Sequence, residues 1–527
     1  MSQLLAKKTI EQSIADTEEP THALRKRLGP IDLTVFGVGV VIGTGIFVLT
    51  GGAAATQAGP AVALSFLIAG IVCALAALCY AEFASTVPVA GSAYTFSYAT
   101  LGEFIAWIIG WDLILELALG AATVASGWSD YFANVLDTAG LTVPESLYGG
   151  EFELLGLTLT HNYVAAAIVL ILTGVICLGV RVSSQVNAVA VAVKVSIVLF
   201  VIIAGFFYIK SANYSPFIPG PETMPAPGSE PSSSLLQDLG LAPGAFGVGG
   251  VVGAAALVFF AFIGFDVVAT AAEETKKPQR DMPIGIIASL LICTTLYVLV
   301  SLVVTGMVKF NALSVNAPLA EAFRSVGRPG FATLISVGAL VGLTTVMMIL
   351  MMGQSRVFFA MSRDRLLPPV FSKVSPRFGV PVRVQATTGV VIALIACFVP
   401  LTTLAELVNI GTLFAFVLVA IGVLVLRYSR PDLPRAFKTP LMPVLPVVSA
   451  FASIYLMMNL PAETWERFLI WMLLGVLVYF AYGKRKSRLR LAPGGGYASN
   501  GAGTTSGGPT AGPTAGAVRQ TGDADRR

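Results

Sequence analysis

Four glycines fall within Gly37-Val38-Gly39-Val40-Val41-Ile42-Gly43-Thr44-Gly45-Ile46-Phe47, each costing about 1 kcal/mol relative to alanine inside a helix. Close helix packing would use part of the pattern, because Gly39 and Gly43 form a small-xxx-small pair. The alternative is a break. A helix interrupted at mid-membrane exposes N–H groups on one half and C=O groups on the other, which together match the carboxylate and ammonium of an amino acid. A second such segment, Phe259-Phe260-Ala261-Phe262-Ile263-Gly264-Phe265-Asp266, lies further along. Lipid cannot satisfy freed backbone groups, so breaks at that depth require a cavity or protein partners. Two of them facing one cavity would form a substrate site.

Ionisable residues inside apolar stretches are the next candidates, since charge is costly at mid-membrane and usually functional there. Glu116 lies about twelve residues, or roughly 18 Å, beyond the start of its stretch at Phe104, with Asp112 one turn earlier on the same face. A proton acceptor, a counter-charge near the substrate, or a structural partner of buried hydroxyls are its possible roles. Lys194 lies roughly 12 Å past Val186, deep enough that snorkelling is only one of its readings. Asp266 follows the second break and suits either a helix terminus or gate, or simple solvation. Glu273 and Glu274 suit an inner gate or a solvated loop. Thr344 and Thr345 carry small hydroxyl side chains that would leave room for a long substrate side chain, or would serve ordinary helix packing.

The elements that must hold these groups follow from composition. Of the 527 residues 55% are hydrophobic and only 12% charged, with a mean hydropathy of +0.81; soluble domains carry about 25% charge. At roughly 20 apolar residues per crossing, twelve spans fit: Asp32–Thr50, Ala61–Phe83, Phe104–Leu136, Asn162–Val180, Val186–Tyr208, Phe246–Ala272, Ile284–Lys309, Phe331–Met361, Gln385–Leu401, Ala405–Leu426, Leu441–Leu460 and Phe468–Gly483. Length carries the assignment, because a lipid-facing helix is apolar nearly all round.

The distribution of Lys and Arg tests that count. Of the 33 such residues, only Lys210, Lys309, Arg324, Arg328 and Arg467 fall on the side opposite the N-terminus, and Lys194 falls within a span. Both termini are therefore expected in the cytoplasm. This placement explains the net charge of +4 without nucleic acid. The first thirty residues lack the apolar stretch of a cleavable signal. Ser211–Ser234 reads as a flexible outer loop, and Gly494–Arg527 as a disordered tail. Cys73, Cys79, Cys177, Cys293 and Cys397 all lie in apolar runs, so no disulfide framework is expected.

Several landmarks in order now carry a resemblance. Ile42-Gly43-Thr44-Gly45-Ile46-Phe47 is followed by Trp111-Asp112-Leu113-Ile114-Leu115-Glu116 and Phe260-Ala261-Phe262-Ile263-Gly264-Phe265-Asp266. Glu273-Glu274-Thr275-Lys276-Lys277-Pro278-Gln279-Arg280 and Phe358-Phe359-Ala360-Met361-Ser362-Arg363-Asp364 complete the series. The membrane part resembles the amino acid–polyamine–organocation (APC) superfamily, and within it the cationic amino acid transporter family and its bacterial twelve-helix relatives. The resemblance implies an all-α membrane protein with a LeuT-like bundle of five plus five inverted helices and two extra C-terminal spans. The expected units are a cytoplasmic segment over 1–31, a first repeat over 32–209, an outer loop over 210–245, a second repeat over 246–427, two further spans within 428–483 and a tail over 484–527.

By that similarity, backbone N–H groups around Gly43, Thr44 and Gly45 would hold a substrate carboxylate, with the Thr44 hydroxyl assisting. Carbonyls of Val41, Phe260 and Ile263 would accept from its ammonium. Phe260 aligns with an aromatic gate, and its ring could favour a cation. Lys194 would stand where related folds hold sodium between the first and eighth helices. Because desolvation acts on the charged form of a lysine, proton coupling is expected and a sodium site is not. From their own depth and side-chain size, as read above, Glu116 is expected to serve both substrate and coupling, and Thr344 the substrate side chain.

Enzyme chemistry has no foothold: His22 and His161 are the only histidines, without metal spacing, and there is no phosphate-binding Gly-Lys-Ser/Thr loop. No cofactor and no metal are expected. A channel would need an open pore and a sensor an appended signalling domain, whereas paired breaks imply an occluded site. The expectation is therefore a secondary-active amino acid permease of the cell membrane, coupled to protons, with cationic substrates first and small neutral ones second. Obligatory exchange is the alternative mechanism. A disulfide-linked heavy subunit is not expected, because the loop Asp137–His161 has no cysteine.

Overall fold

The computed structural model describes residues 28–487 except 87–91, 143, 145–146, 155–156, 180–183, 222, 224–232, 242–245, 269–274 and 434. The expectations for the first 27 residues, for Glu273 and Glu274 and for the disordered tail over Gly494–Arg527 therefore lie outside the described residues, as does much of the Ser211–Ser234 loop.

Helix α1 (Pro30–Val41) begins with Pro at its first position, where a missing N–H costs nothing. Asp32 accepts from the Gly29 N–H at 2.8 Å. After an interruption at Ile42 and Gly43, helical winding resumes at Gly45–Leu49 and continues through Thr50–Ala53 and Ala54–Ala58, the first and last of these being π-helical. The helical run Gly45–Thr86 has 42 residues, about twice a bilayer's thickness if straight. Gly59 at φ 59° and Pro60 break its regular winding, separating the end of the first crossing from α2 (Val62–Thr86).

A short helix α3 (Ser92–Thr100) leads to α4 (Glu103–Thr138). Beyond α4 lies an antiparallel hairpin, β1 (Gly150–Leu154) and β2 (Leu157–His161), which the sequence reading did not anticipate. Asn162 caps α5 (Tyr163–Cys177), its side chain accepting from the Ala165 N–H at 2.9 Å. Then follow α6 (Ser184–Phe206), α7 (Gly247–Val258), α8 (Pro278–Met307), the short α9 (Pro318–Ser325), α10 (Pro329–Arg363), α11 (Val382–Phe398), α12 (Leu401–Ser429), α13 (Val444–Met458) and α14 (Ala462–Val478). Proline opens α8, α9 and α10 as it opens α1.

Among the described residues, eight helical runs are long and apolar enough to cross a membrane, and α1, α5, α11 and α13 are shorter apolar helices. Joining α1 to its continuation, and dividing the 42-residue run at Gly59-Pro60, accounts for the twelve stretches read from the sequence. The protein is an all-α membrane protein apart from the hairpin. Helices α4 and α10 pack along much of their length, α8 packs against α1 and α2, and α12 against α4 and α13. Side chains facing outward from α6, α13 and α14, such as Ile203, Phe451 and Ile470, are apolar and exposed, as a lipid-facing surface requires.

One charged cluster ties the helices at the face where the described chain begins and ends. Glu82, at the end of α2, is 1% exposed. It accepts from Arg427 Nε (3.1 Å) and Nη2 (2.6 Å), and from the Thr439 N–H (2.7 Å). Arg435 adds an ion pair at 3.3 Å. Removing one member of a buried ion pair strands the other. Glu82→Ala is therefore expected to destabilise the fold by about 3 kcal/mol, read as a lower thermal unfolding midpoint in detergent; an unchanged midpoint would show the cluster to be dispensable.

Candidate functional site

Both helices are interrupted, and the interruptions touch. In the first, Ile42 is the last residue whose N–H bonds back into α1, to the Val38 carbonyl at 3.0 Å, and Ile42 itself is extended at ψ 94°. The next backbone bond in sequence runs from Phe47 N–H to the Gly43 carbonyl at 3.5 Å. The N–H groups at the start of the second half thus have no helical acceptor, as at any helix start. In the second, α7 tightens into a 3-10 turn at Phe259–Phe262 and then opens, with Ile263 extended at ψ 135° and Gly264 at φ 113°. Only glycine adopts the latter φ without strain.

Glycine also permits the contact itself. A Cβ on Gly45 would stand 2.2 Å from the Ala261 Cα, and one on Gly264 would stand 2.4 Å from Val40 Cγ1. Each break therefore has a bare backbone position where the other lies against it. Thr44 is fully buried beside Gly127 of α4, and its hydroxyl oxygen has no hydrogen-bond partner among the described residues. An unpartnered buried hydroxyl is costly, which makes it the one polar side chain at the first break left for something else.

The carbonyls freed by the breaks are partly met from neighbouring helices. Lys194 of α6 is 1% exposed and donates to the Gly39 carbonyl at 2.6 Å. Its aliphatic stem passes Gly342 of α10, where a Cβ would come within 2.9 Å of Lys194 Cγ. It does not snorkel: it links α6 to α1 across α10. Tyr297 of α8 donates its hydroxyl to the Val41 carbonyl (2.7 Å) and the Ala261 carbonyl (2.9 Å), one proton serving both breaks. Asn409 of α12 donates to the carbonyls of Ala256 (2.8 Å) and Leu257 (3.0 Å) at the end of α7.

Tyr297 and Asn409 were not singled out from the sequence. A lone tyrosine or asparagine in a long apolar run gives no spacing signal, and the carbonyls they meet exist only because the helices break.

The acidic residues lie together in the interior. Asp112, Glu116 and Asp266 are each at most 3% exposed and close enough to interact electrostatically. Among the described residues the Asp112 carboxylate has no hydrogen-bond partner at either oxygen, and it occupies the space that a side chain at Gly411 of α12 would need. Glu116 lies beside Thr412 of α12, with Oε1 unpartnered. Asp266 accepts from backbone N–H groups of its own turn, so it terminates the second break and is not solvated. Phe260 and Ile263 are buried at that break, and the Phe260 carbonyl accepts from the Ile263 N–H at 3.2 Å.

Thr344 of α10 is bonded to its own helix and to α4. Its hydroxyl donates to the Leu340 carbonyl (2.7 Å) and accepts from Trp128 Nε1 of α4 (3.0 Å). The α10 residue beside Gly43 is Val346. Thr345 donates to the Gly342 carbonyl at 2.8 Å.

A bundle of membrane-crossing helices built around two abutting breaks has the architecture of a membrane transporter. Residues 28–479 match the family model described as amino acid permease. The chain is 46% identical over 489 residues to a methylthioribose transporter of Bacillus subtilis (strain 168), covering 93% of this chain and 100% of that one. It is also 46% identical over 484 residues to the branched-chain amino acid permease BcaP of the same organism, covering 92% and 98%. A vacuolar cationic amino acid transporter 2 of Arabidopsis thaliana is 40% identical over 427 residues, covering 79% of this chain and 62% of the plant protein. The chain belongs to the amino acid permease family of the APC superfamily, and is a multi-pass membrane protein of amino acid transport.

Proposed function

We propose that this chain is a proton-coupled, secondary-active permease for L-amino acids that works by alternating access, holding its substrate between the two breaks. The N–H groups of Gly43, Thr44 and Gly45, with the Thr44 hydroxyl, take the carboxylate. Carbonyls of Val41, Phe260 and Ile263 take the ammonium, the first shared with Tyr297, and the Phe260 ring covers the site. Lys194 replaces a coupling cation between α1 and α10, and Glu116 exchanges the proton. Thr344 shapes the wall through Trp128. The observation that carries this reading is the buried, unbonded Thr44 hydroxyl where the two bare backbones abut.

Cationic amino acids are the first substrate class, because three buried carboxyls gather beside the second break and several relatives are named cationic amino acid transporters. A branched-chain neutral substrate is the second reading, supported by the similarity to BcaP. The similarity to bacterial permeases supports the cell membrane, and the excess of Lys and Arg at the ends and connecting loops on the N-terminal side supports cytoplasmic termini.

The test is uptake by purified protein in liposomes, varying the pH gradient, sodium and a panel of labelled arginine, lysine, leucine and isoleucine. The expected result is accumulation that follows an inward proton gradient, is indifferent to sodium, and is strongest for arginine or lysine. Uptake that ignores the proton gradient but requires amino acid inside would establish exchange instead. Accumulation of leucine and isoleucine without arginine or lysine would select the neutral reading.

A further inference from the structure

On the face opposite the described chain ends, two lysines line one cavity, and two arginines, Arg324 and Arg328, lie on the adjoining segment, making four cations in all. Its volume is about 630 Å³, and its walls include Phe207, Tyr208, Lys210, Asn213, Lys309 and Ser325, brought together from the ends of α6, α8 and α9. The floor is firmly built. The Lys210 N–H and Asn213 Nδ2 both donate to the Gly306 carbonyl (2.9 and 2.7 Å), and the Tyr214 hydroxyl donates to the Leu302 carbonyl at 2.7 Å.

Two of the four cations are already engaged. Arg324 pairs with Glu321 (3.0 Å) and Asp137 (3.6 Å), and Arg328 donates to the Tyr208 hydroxyl at 2.8 Å while lying over that ring. Lys210 and Lys309 are exposed and have no carboxylate partner among the described residues. Two unpaired ammonium groups flanking a polar cavity favour an anion with several acceptor oxygens.

The surroundings identify what carries that anion. Ile203, Phe206 and Phe207, on the last turn of α6 and just beyond it, are 62%, 66% and 78% exposed. They continue the lipid-facing side of α6 up to the cavity mouth, within about 9 Å at helical rise. Phe207 and Tyr208 mark the interface level, where aromatic rings collect. We propose that the cavity binds the phosphate of an anionic phospholipid between Lys210 and Lys309, its acyl chains lying along Ile203 and Phe206. Such a lipid clamps α6 to α8, the helices that carry Lys194 and Tyr297. The site's existence is independent of what the protein transports.

The test is native mass spectrometry of the detergent-purified full chain with added phosphatidylglycerol, phosphatidylcholine or sodium phosphate. Phosphatidylglycerol adducts are expected to exceed those of phosphatidylcholine, and to fall about tenfold or more in Lys210→Ala/Lys309→Ala, each substitution removing a charge-assisted contact. Lys210→Arg/Lys309→Arg and the distant Arg467→Ala are expected to retain them, which distinguishes the site from general surface charge. Equal adducts in the double alanine variant, or no preference over phosphatidylcholine, would overturn the proposal. Displacement of the lipid by sodium phosphate at equal concentration would make this a soluble-anion site and overturn the lipid assignment.

Discussion

Replacing Lys194 with methionine is expected to abolish concentrative amino acid uptake while leaving folded protein in the membrane. The methionine side chain keeps most of the aliphatic volume that fills the space against Gly342, so the packing of α6 on α10 persists. What disappears is the charge-assisted hydrogen bond from Nζ to the Gly39 carbonyl at 2.6 Å. A hydrogen bond to a charged group contributes about 1.5–3 kcal/mol, a factor of roughly 10–150 in the population of the conformer it holds. Gly39 lies only a helical turn before the first break. Losing that tether leaves the end of α1 free to shift relative to α10, and a carrier needs this arrangement to form and dissolve in step with its substrate. Lys194→Arg should not rescue it, because the planar guanidinium is larger and Gly342 has no room to give. The measurement is time-dependent accumulation in liposomes at matched protein density, with size-exclusion chromatography as the folding control. Full accumulation by Lys194→Met would remove the lysine from the coupling mechanism.

How far the sequence revealed this arrangement depends on the kind of residue. The breaks were legible because glycine is expensive in a helix, so a run such as Gly37–Gly45 demands a reason. Lys194 and Glu116 were legible because charge is expensive in lipid. The crossings followed from length and hydropathy, although α5, α11 and α13 are shorter than a full span. Tyr297 and Asn409 were not legible, since neither is costly enough in an apolar helix to attract notice. Their importance arises from acceptors on other helices, 256 and 153 residues distant in the chain.

Thr344 shows the opposite limit. Its hydroxyl and its position on α10 were visible, but the direction of its side chain was not. A turn of about 100° per residue sets which neighbour it meets, and the indole of Trp128 meets it. The β1–β2 hairpin was missed because its alternation, Glu151-Phe152-Glu153-Leu154 against Leu157-Thr158-Leu159-Thr160, is so short on each strand. It resembled the rest of a polar loop.

Glu116→Gln is expected to uncouple transport without closing the site. Glutamine preserves the length of the side chain and a carbonyl oxygen beside Thr412, so packing between α4 and α12 is kept. It cannot exchange a proton. The carboxyl it replaces lies 2% exposed, near Asp112 and Asp266, and charges confined together in a low dielectric interact far more strongly than in water. A proton arriving at any one of the three therefore alters the energy of the others, and under the proposed proton coupling the charge of the cluster changes as access to it alternates between the two sides of the membrane. With an amide in place of the Glu116 carboxyl that cycle loses its carrier, while the two breaks, the Thr44 hydroxyl and the freed backbone groups are untouched. Accumulation driven by a pH gradient should fall to the level of empty liposomes. Counterflow of labelled against unlabelled amino acid should continue, within about threefold of the parent rate for a surface that still binds substrate. This split separates a coupling role from a binding role. Loss of both activities would assign Glu116 to the substrate, and retention of gradient-driven accumulation would leave Asp112 and Asp266 as the carboxyls to substitute next.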